Sequence, residues 1–150
     1  METKLILPDH LEQHMLAHIQ RNLPEESCGL LGGKVIDGKV CEIEAVMPIT
    51  NQAHSQVRFY MDPVEQLAAF KELEAQGLEL VGIYHSHPAG PSIPSATDLA
   101  EFAYPGVVYV IWSYEHQGWH VNAFEITGGN FQEKPLLRRG LSNFDLSSGL

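Results

Sequence analysis

A chain of 150 residues that is 44% apolar and 19% charged has the length and composition of one soluble globular domain with its own core. Its formal net charge of −10 argues against a nucleic-acid partner, because phosphate binding is driven by cationic side chains that release counterions. No apolar run approaches the length of a membrane span, and METKLILPDH lacks the apolar core of a signal peptide, so the expected setting is cytoplasmic with no membrane contact.

Cys28 and Cys41 have no CxxC partner and no histidine at zinc-finger spacing. They read as reduced thiols, with Cys28 buried in an apolar run.

In chain order, residues 4–7 predict a short strand stopped by Pro8. A helix follows over 10–22 with Asp9 as its N-cap, and Leu11, Met15, Leu16, Ala17 and Ile19 give it a buried face. His10, His14 and His18 form an i, i+4, i+8 stripe on that helix, which reads as a solvated face rather than a metal site. Residues 27–31 predict a short buried strand ended by Gly32 and Gly33, and 35–46 a further strand with a hairpin turn at Asp37-Gly38. Residues 57–61 predict another short strand. Asp62-Pro63 then starts a helix that Gly77 ends. The near-continuous apolar run over 78–87 predicts a central strand buried on both faces. A short helix over 98–103, a second central strand over 107–113, and strands at 119–126 and 131–135 complete the order. Helices packed on a mixed sheet, an α/β fold, is the expected result. Residues 136–150 carry few organising features and read as a C-terminal tail, disordered over 142–150.

The chemistry concentrates in residues 82–98, GIYHSHPAGPSIPSATD. On a strand, side chains alternate, so His85 and His87 point the same way. Residues three apart on a helix share a face, so Ser95 and Asp98 point together. Two imidazoles and a carboxylate converging across a Pro/Gly-rich turn form the ligand set of a catalytic zinc site with its fourth position left for water. Taken alone, a His pair at a strand end is more often just exposed and polar. Pro88, Pro94, Ser95 and Asp98 at fixed offsets change that reading.

With these residues the chain resembles the JAMM (MPN-plus) metalloprotease family, whose signature reads His-x-His-Pro, a short spacer, then Pro-Ser-x-x-Asp. Here it stands as His85-Ser86-His87-Pro88 and Pro94-Ser95-Ala96-Thr97-Asp98. The resemblance covers about the first 125 residues. The metalloprotease domain is expected over 1–135, through the last predicted strand. It implies a cytidine-deaminase-like three-layer α/β/α fold with a mixed central sheet and the metal site at a sheet edge. It implies one Zn2+ per chain on His85, His87 and Asp98, an ion that lowers the pKa of a water to about 7. A carboxylate is still needed to carry a proton to the leaving amine. Spacing alone leaves Glu25 and Glu26 open, and alternation along a strand lets only one serve. The resemblance selects Glu26. Ser95 is catalytic by the same analogy, bonding the water or the developing oxyanion, although Ser-x-x-Asp ahead of a helix is also a capping pattern. Asn51, Arg58 and Phe59 resemble positions that line the substrate groove. His54, His116 and His120 read as surface or supporting residues, and Tyr109 and Trp112 as core.

The short spacer implies the compact bacterial type, which acts on the C-terminal tail of small ubiquitin-like sulfur-carrier proteins. The leading expectation is therefore a metallopeptidase cutting at such a tail. The runner-up is an isopeptidase removing a ubiquitin-like modifier from lysine. A zinc deaminase would need His-x-Glu and Pro-Cys-x-x-Cys, which are absent, and a non-catalytic MPN scaffold would lack the ligands this chain retains. The sequence leaves a homodimer open.

Overall fold

Strand propensity and alternation carry through into an eight-stranded mixed sheet in the computed structural model, which describes residues 4–38, 40–101, 104 and 106–140. The elements are β1 (Lys4–Pro8), α1 (Asp9–Arg21), β2 (Cys28–Ile36), β3 (Val40–Ile49), α2 (Pro63–Ala75), β4 (Glu79–His87), α3 (Ala96–Glu101), β5 (Val108–Glu115), β6 (Gly118–Thr127), β7 (Asn130–Lys134) and β8 (Leu136–Arg139). The strand order is β7-β6-β5-β4-β2-β3-β1-β8. β4 lies inside the sheet, antiparallel to β2 and parallel to β5.

Neighbouring residues on each central strand enter different apolar clusters. Leu30, Ile83 and Tyr109 join Ala69 and Phe70 of α2, whereas Leu31, Tyr84 and Val110 join Leu11, Met15 and Ile19 of α1. Adjacent strand residues face opposite sides, so the sheet is covered by α1 on one face and α2 on the other. β4 and β2 run antiparallel with Cys28 opposite His85, so the segment entering β2 lies beside the end of β4. That topology brings the residues before Cys28 to the histidines.

The start signal of α2 and the hairpin turn signal hold. Asp62 caps α2, accepting from the backbone N–H of Val64 and Glu65, with Pro63 next to it. Asp37 and Gly38 both have positive φ, as a tight hairpin turn needs. Both thiols are free and buried. No helix among the described residues is long and apolar enough to cross a membrane.

Other local expectations are corrected. Pro8, not Asp9, occupies the cap position of α1, with no side-chain cap bond. Gly32 and Gly33 do not end a strand but lie inside β2. A Cβ on Gly32 would sit 2.2 Å from Leu73 of α2, and one on Gly33 2.0 Å from the Glu42 carbonyl oxygen, so these glycines serve close packing. Residues 57–61 form no strand. Only an isolated bridge joins Asn51 to Met61, and the Tyr60 N–H is taken by the Asn51 side chain instead of a neighbouring strand. β8 falls in the stretch read as featureless. It pairs in parallel with β1, Leu136 packs on the α1 cluster, and Arg139 meets Glu42 at 2.7 Å. Residues 142–150 lie outside the described residues.

The histidine stripe on α1 divides. His10 and His14 are exposed, but His18 is buried, while Ala17 on the expected apolar face is exposed. His18 Nδ1 lies 2.7 Å from the Tyr84 hydroxyl, an internal partner that makes its burial tolerable. Gly29 makes room for that tyrosine, since a Cβ there would fall 2.3 Å from its ring. Burial lowers the His18 pKa from 6.5 to about 4, with Arg21 and His14 adding to the effect. The folded protein therefore binds this proton less readily than the unfolded chain does. The contribution is fully present above pH 6.5 and is lost as pH falls to about 4. The loss is on the order of 2–3 kcal/mol. His18→Gln, which cannot titrate, is expected to show that much less destabilisation between pH 7 and 4 in urea unfolding. Parallel profiles for the two proteins would rule out His18 as the source.

Candidate metal centre

β4 delivers His85 and His87 to one side of the sheet, as its alternation requires. The chain then turns back through residues 88–94 into α3. Ser95 Oγ accepts from the Asp98 N–H at 3.0 Å, and Asp98 Oδ2 accepts from the Ser95 N–H at 2.8 Å. This reciprocal cap fixes the rotamer that aims Asp98 at the histidines. His85 Nε2, His87 Nε2 and Asp98 Oδ2 form a triangle with every side 3.1 Å.

The donor set fits a divalent metal. Two ring nitrogens face each other at 3.1 Å, and only one proton can lie between them. The His87 Nδ1 donates to the Pro91 carbonyl at 2.7 Å, which leaves the Nε2 lone pair directed into the cluster. Among the described residues, these three make up the group of side chains close enough to share an ion. Burial disfavours charge on all three. At His85 burial prevails and lowers the pKa despite Asp98. At His87 burial is outweighed by the bonds to Asp98 and Pro91, so its pKa is raised. At Asp98 burial is outweighed by hydrogen bonds from both histidines, which hold the carboxyl well below its usual range.

Glu26 is the residue the fold adds from β2. Ser86 ties the two strands, its Oγ accepting from the Ser27 N–H at 2.8 Å and its own N–H donating to the Ser27 carbonyl at 3.0 Å. Glu26 is 3% exposed, and its Oε1 has no hydrogen-bond partner. Burial raises its pKa from 4.5 to about 8, with His87 opposing and Asp98 adding. A buried carboxyl whose Oε1 has no partner and that feels both His87 and Asp98 can hold and release a proton there. Glu25 is turned to the surface, where its Oε1 lies 3.2 Å from His54 Nδ1.

A cleft of about 500 Å3 opens beside the cluster and is lined by His85 and Asp98 together with Arg58, Phe59, Tyr60 and Tyr109. The Phe59 ring stacks at 4.7 Å on His85, and Arg58 pairs weakly with Glu101 at 3.7 Å. Asn51 is not among the lining residues. It is buried, its Nδ2 donates to the Glu26 and Arg58 carbonyls, and its Oδ1 accepts from the Ala53 and Tyr60 N–H groups. It shapes the loop that carries Arg58 and Phe59 and anchors the backbone of Glu26. Tyr109 is buried in the sheet as expected, but it also lines the cleft, and its hydroxyl accepts from the Tyr104 N–H. No signal in the sequence marks the Pro91 carbonyl as a histidine partner, because its place depends on how the loop closes. Trp112 is core, and His54, His116 and His120 are exposed.

Three converging donors next to a buried acid and an open cleft define a class, the metal-dependent hydrolases. The chain belongs to the family of prokaryotic homologs of the JAB domain, whose family model matches residues 8–126. This bears out the resemblance found in the sequence. A probable TtuB-protein conjugate cleaving protease of Thermus thermophilus is 40% identical over 109 residues, covering 72% of this chain and 69% of that protein. A desampylase of Haloferax volcanii is 33% identical over 136 residues, covering 87% and 94%. The CysO-cysteine peptidase of Mycobacterium tuberculosis is 32% identical over 133 residues, covering 88% and 89%. The solution structure of a Desulfitobacterium hafniense protein superposes with a TM-score of 0.82 at 36% identity, covering 91% of this chain and 93% of that one.

Proposed function

We propose that this chain is a zinc metallopeptidase that hydrolyses the bond at the C-terminal tail of a small ubiquitin-like sulfur-carrier protein. The observation that carries the reading is the 3.1 Å triangle of His85, His87 and Asp98 with the partnerless Glu26 carboxyl beside it. Two imidazoles, one carboxylate and an open side favour Zn2+ over harder ions. Zinc held there supplies Lewis acidity, polarising the scissile carbonyl and making a water a stronger nucleophile.

The residues divide the remaining work. Glu26 takes the proton of the attacking water and passes it to the leaving amine, a role open to a buried carboxyl whose Oε1 has no other partner. Ser95 Oγ already accepts from the Asp98 N–H, so its own hydrogen is available to donate to the oxyanion. Phe59 excludes water from one side of His85, and Arg58 lines the cleft with a weak ion pair that a substrate can displace. An extended tail fits an open cleft at the end of sheet strands. The helix-covered sheet supports a cytidine-deaminase-like α/β/α description. The free thiols and the net charge of −10 support a cytoplasmic setting without nucleic acid.

An isopeptidase that frees a ubiquitin-like modifier from lysine is the second reading. It is favoured by a relative named for cleaving TtuB-protein conjugates, whereas the CysO-cysteine relative favours the linear tail. A paired assay separates them, with one carrier extended by a residue in peptide linkage and another joined to a lysine side chain. The linear substrate is expected to have the higher kcat/KM, with turnover abolished by phenanthroline and restored by zinc. A higher kcat/KM for the lysine conjugate establishes the second reading, and cleavage of neither overturns both.

A further inference from the structure

We propose that Glu115 is a positioning residue for His87, acting through the loop that closes over the end of β4. β4 and β5 are parallel with His87 opposite Ser113, so Glu115 at the end of β5 lies where β4 runs into the 88–94 loop. Its Oε2 accepts from Ser92 Oγ at 3.1 Å. Gly90, at φ +71°, lies against the same side chain, and a Cβ there would fall 2.9 Å from both Cγ and Oε1 of Glu115. Glu115 is itself fixed at the backbone, where His120 Nε2 lies 3.0 Å from its carbonyl oxygen. The loop meets His87 twice. Gly90 N–H donates to the His87 carbonyl at 2.9 Å, and between Gly90 and Ser92 the Pro91 carbonyl takes the His87 Nδ1 proton at 2.7 Å.

Of the two residues flanking Pro91, Ser92 is thus bonded to a carboxylate from a different strand, and Gly90 packs against the same side chain. The Pro91 carbonyl fixes both the ring orientation and the tautomer of His87, and the tautomer decides whether Nε2 presents a lone pair to a metal. Without Glu115 the loop keeps its covalent path and its bonds to His87 but loses its tie to β5, so the carbonyl is held less firmly against Nδ1. The inference rests on the reading that His87 is a zinc ligand.

The test is zinc affinity by chelator competition, together with the His87 tautomer from ring 15N shifts of the metal-free protein above its titration. Glu115→Ala is expected to bind zinc about tenfold more weakly, the usual cost of losing a group that orients a ligand. It is also expected to raise the share of His87 protonated on Nε2. Glu115→Gln keeps an acceptor for Ser92 and is expected to recover most of the affinity. Ser92→Ala cuts the same link from the other side, so the double variant should be no worse than the poorer single one. Lower melting temperature with wild-type zinc affinity and tautomer would make Glu115 merely structural and overturn the proposal, as would fully additive losses. Failure of the wild-type protein to bind zinc, with its tautomer still dependent on Glu115, would overturn the metallopeptidase reading and leave the positioning role in place.

Discussion

Glu26→Gln is expected to lower kcat by about 10²- to 10⁴-fold while zinc content stays at that of the wild type. The substitution keeps the volume of a side chain that is 3% exposed, so packing around the β2–β4 junction is preserved. It removes the one function the position offers, a carboxyl that can hold a proton and release it. The loss corresponds to about 3–5 kcal/mol of transition-state stabilisation. Stability should move the other way in the metal-free protein. Burial raises Glu26 from 4.5 to about 8, so the folded state is favoured fully below pH 4.5 and progressively less as pH rises toward 8. A neutral amide avoids that penalty, which is on the order of 3 kcal/mol at pH 7. Metal-free Glu26→Gln is therefore expected to melt above the wild type at neutral pH. Gain of stability with loss of turnover is the pattern of a group buried for function rather than for folding. Retention of more than about a tenth of wild-type kcat would remove Glu26 from the proton-transfer role, since general acid–base groups contribute at least tenfold more than that.

The parts of this protein that were legible in its sequence are those set by short-range rules. His85 and His87 share a face because any strand alternates. Asp98 meets them because Ser95-x-x-Asp98 is a cap that can close in one local geometry. Asp62-Pro63 starts α2 for equally local reasons. The parts that were not legible depend on which distant group arrives. His18 looks like a member of an exposed stripe until Tyr84, far along the chain, supplies a hydroxyl at 2.7 Å. Asn51 looks like a groove residue until its amide is seen to be spent on four backbone groups. Residues 57–61 alternate like a strand but have no neighbouring strand to complete a ladder, and β8 has little pattern but finds β1. Propensity is outweighed in each case by the satisfaction of backbone and buried polar groups. Glu25 and Glu26 mark the boundary between the two kinds of information. Alternation says that only one can face inward, and the β2–β4 pairing decides which.

Asp98→Ala is expected to reduce bound zinc to less than about a tenth of the wild-type content after dialysis, and to abolish peptidase activity with it. Removing a group that only orients a ligand costs 10- to 100-fold in metal affinity, so loss of one of three donors should exceed about 100-fold. The two histidines that remain are neutral donors, and the negative charge that balances a dication is gone. The fold should tolerate the change. Asp98 contributes one side-chain bond to the cap of α3, a six-residue helix, while the bond from its N–H to Ser95 Oγ survives. Loss of half the cap costs about 1 kcal/mol, or about 2–4 °C in Tm for a domain of this size. Asp98→Asn separates charge from shape. It preserves the side-chain volume and an acceptor for the Ser95 N–H, yet a neutral amide is a poor zinc ligand, so it should lose metal nearly as completely as alanine does. Elemental analysis of the three proteins, prepared in parallel with zinc supplied, reads the result directly. If either variant kept one zinc per chain and wild-type turnover, Asp98 would be a helix cap beside a two-histidine site. The third donor would then have to be sought elsewhere, and Glu26, the remaining carboxyl beside the cluster, would be the first residue to test.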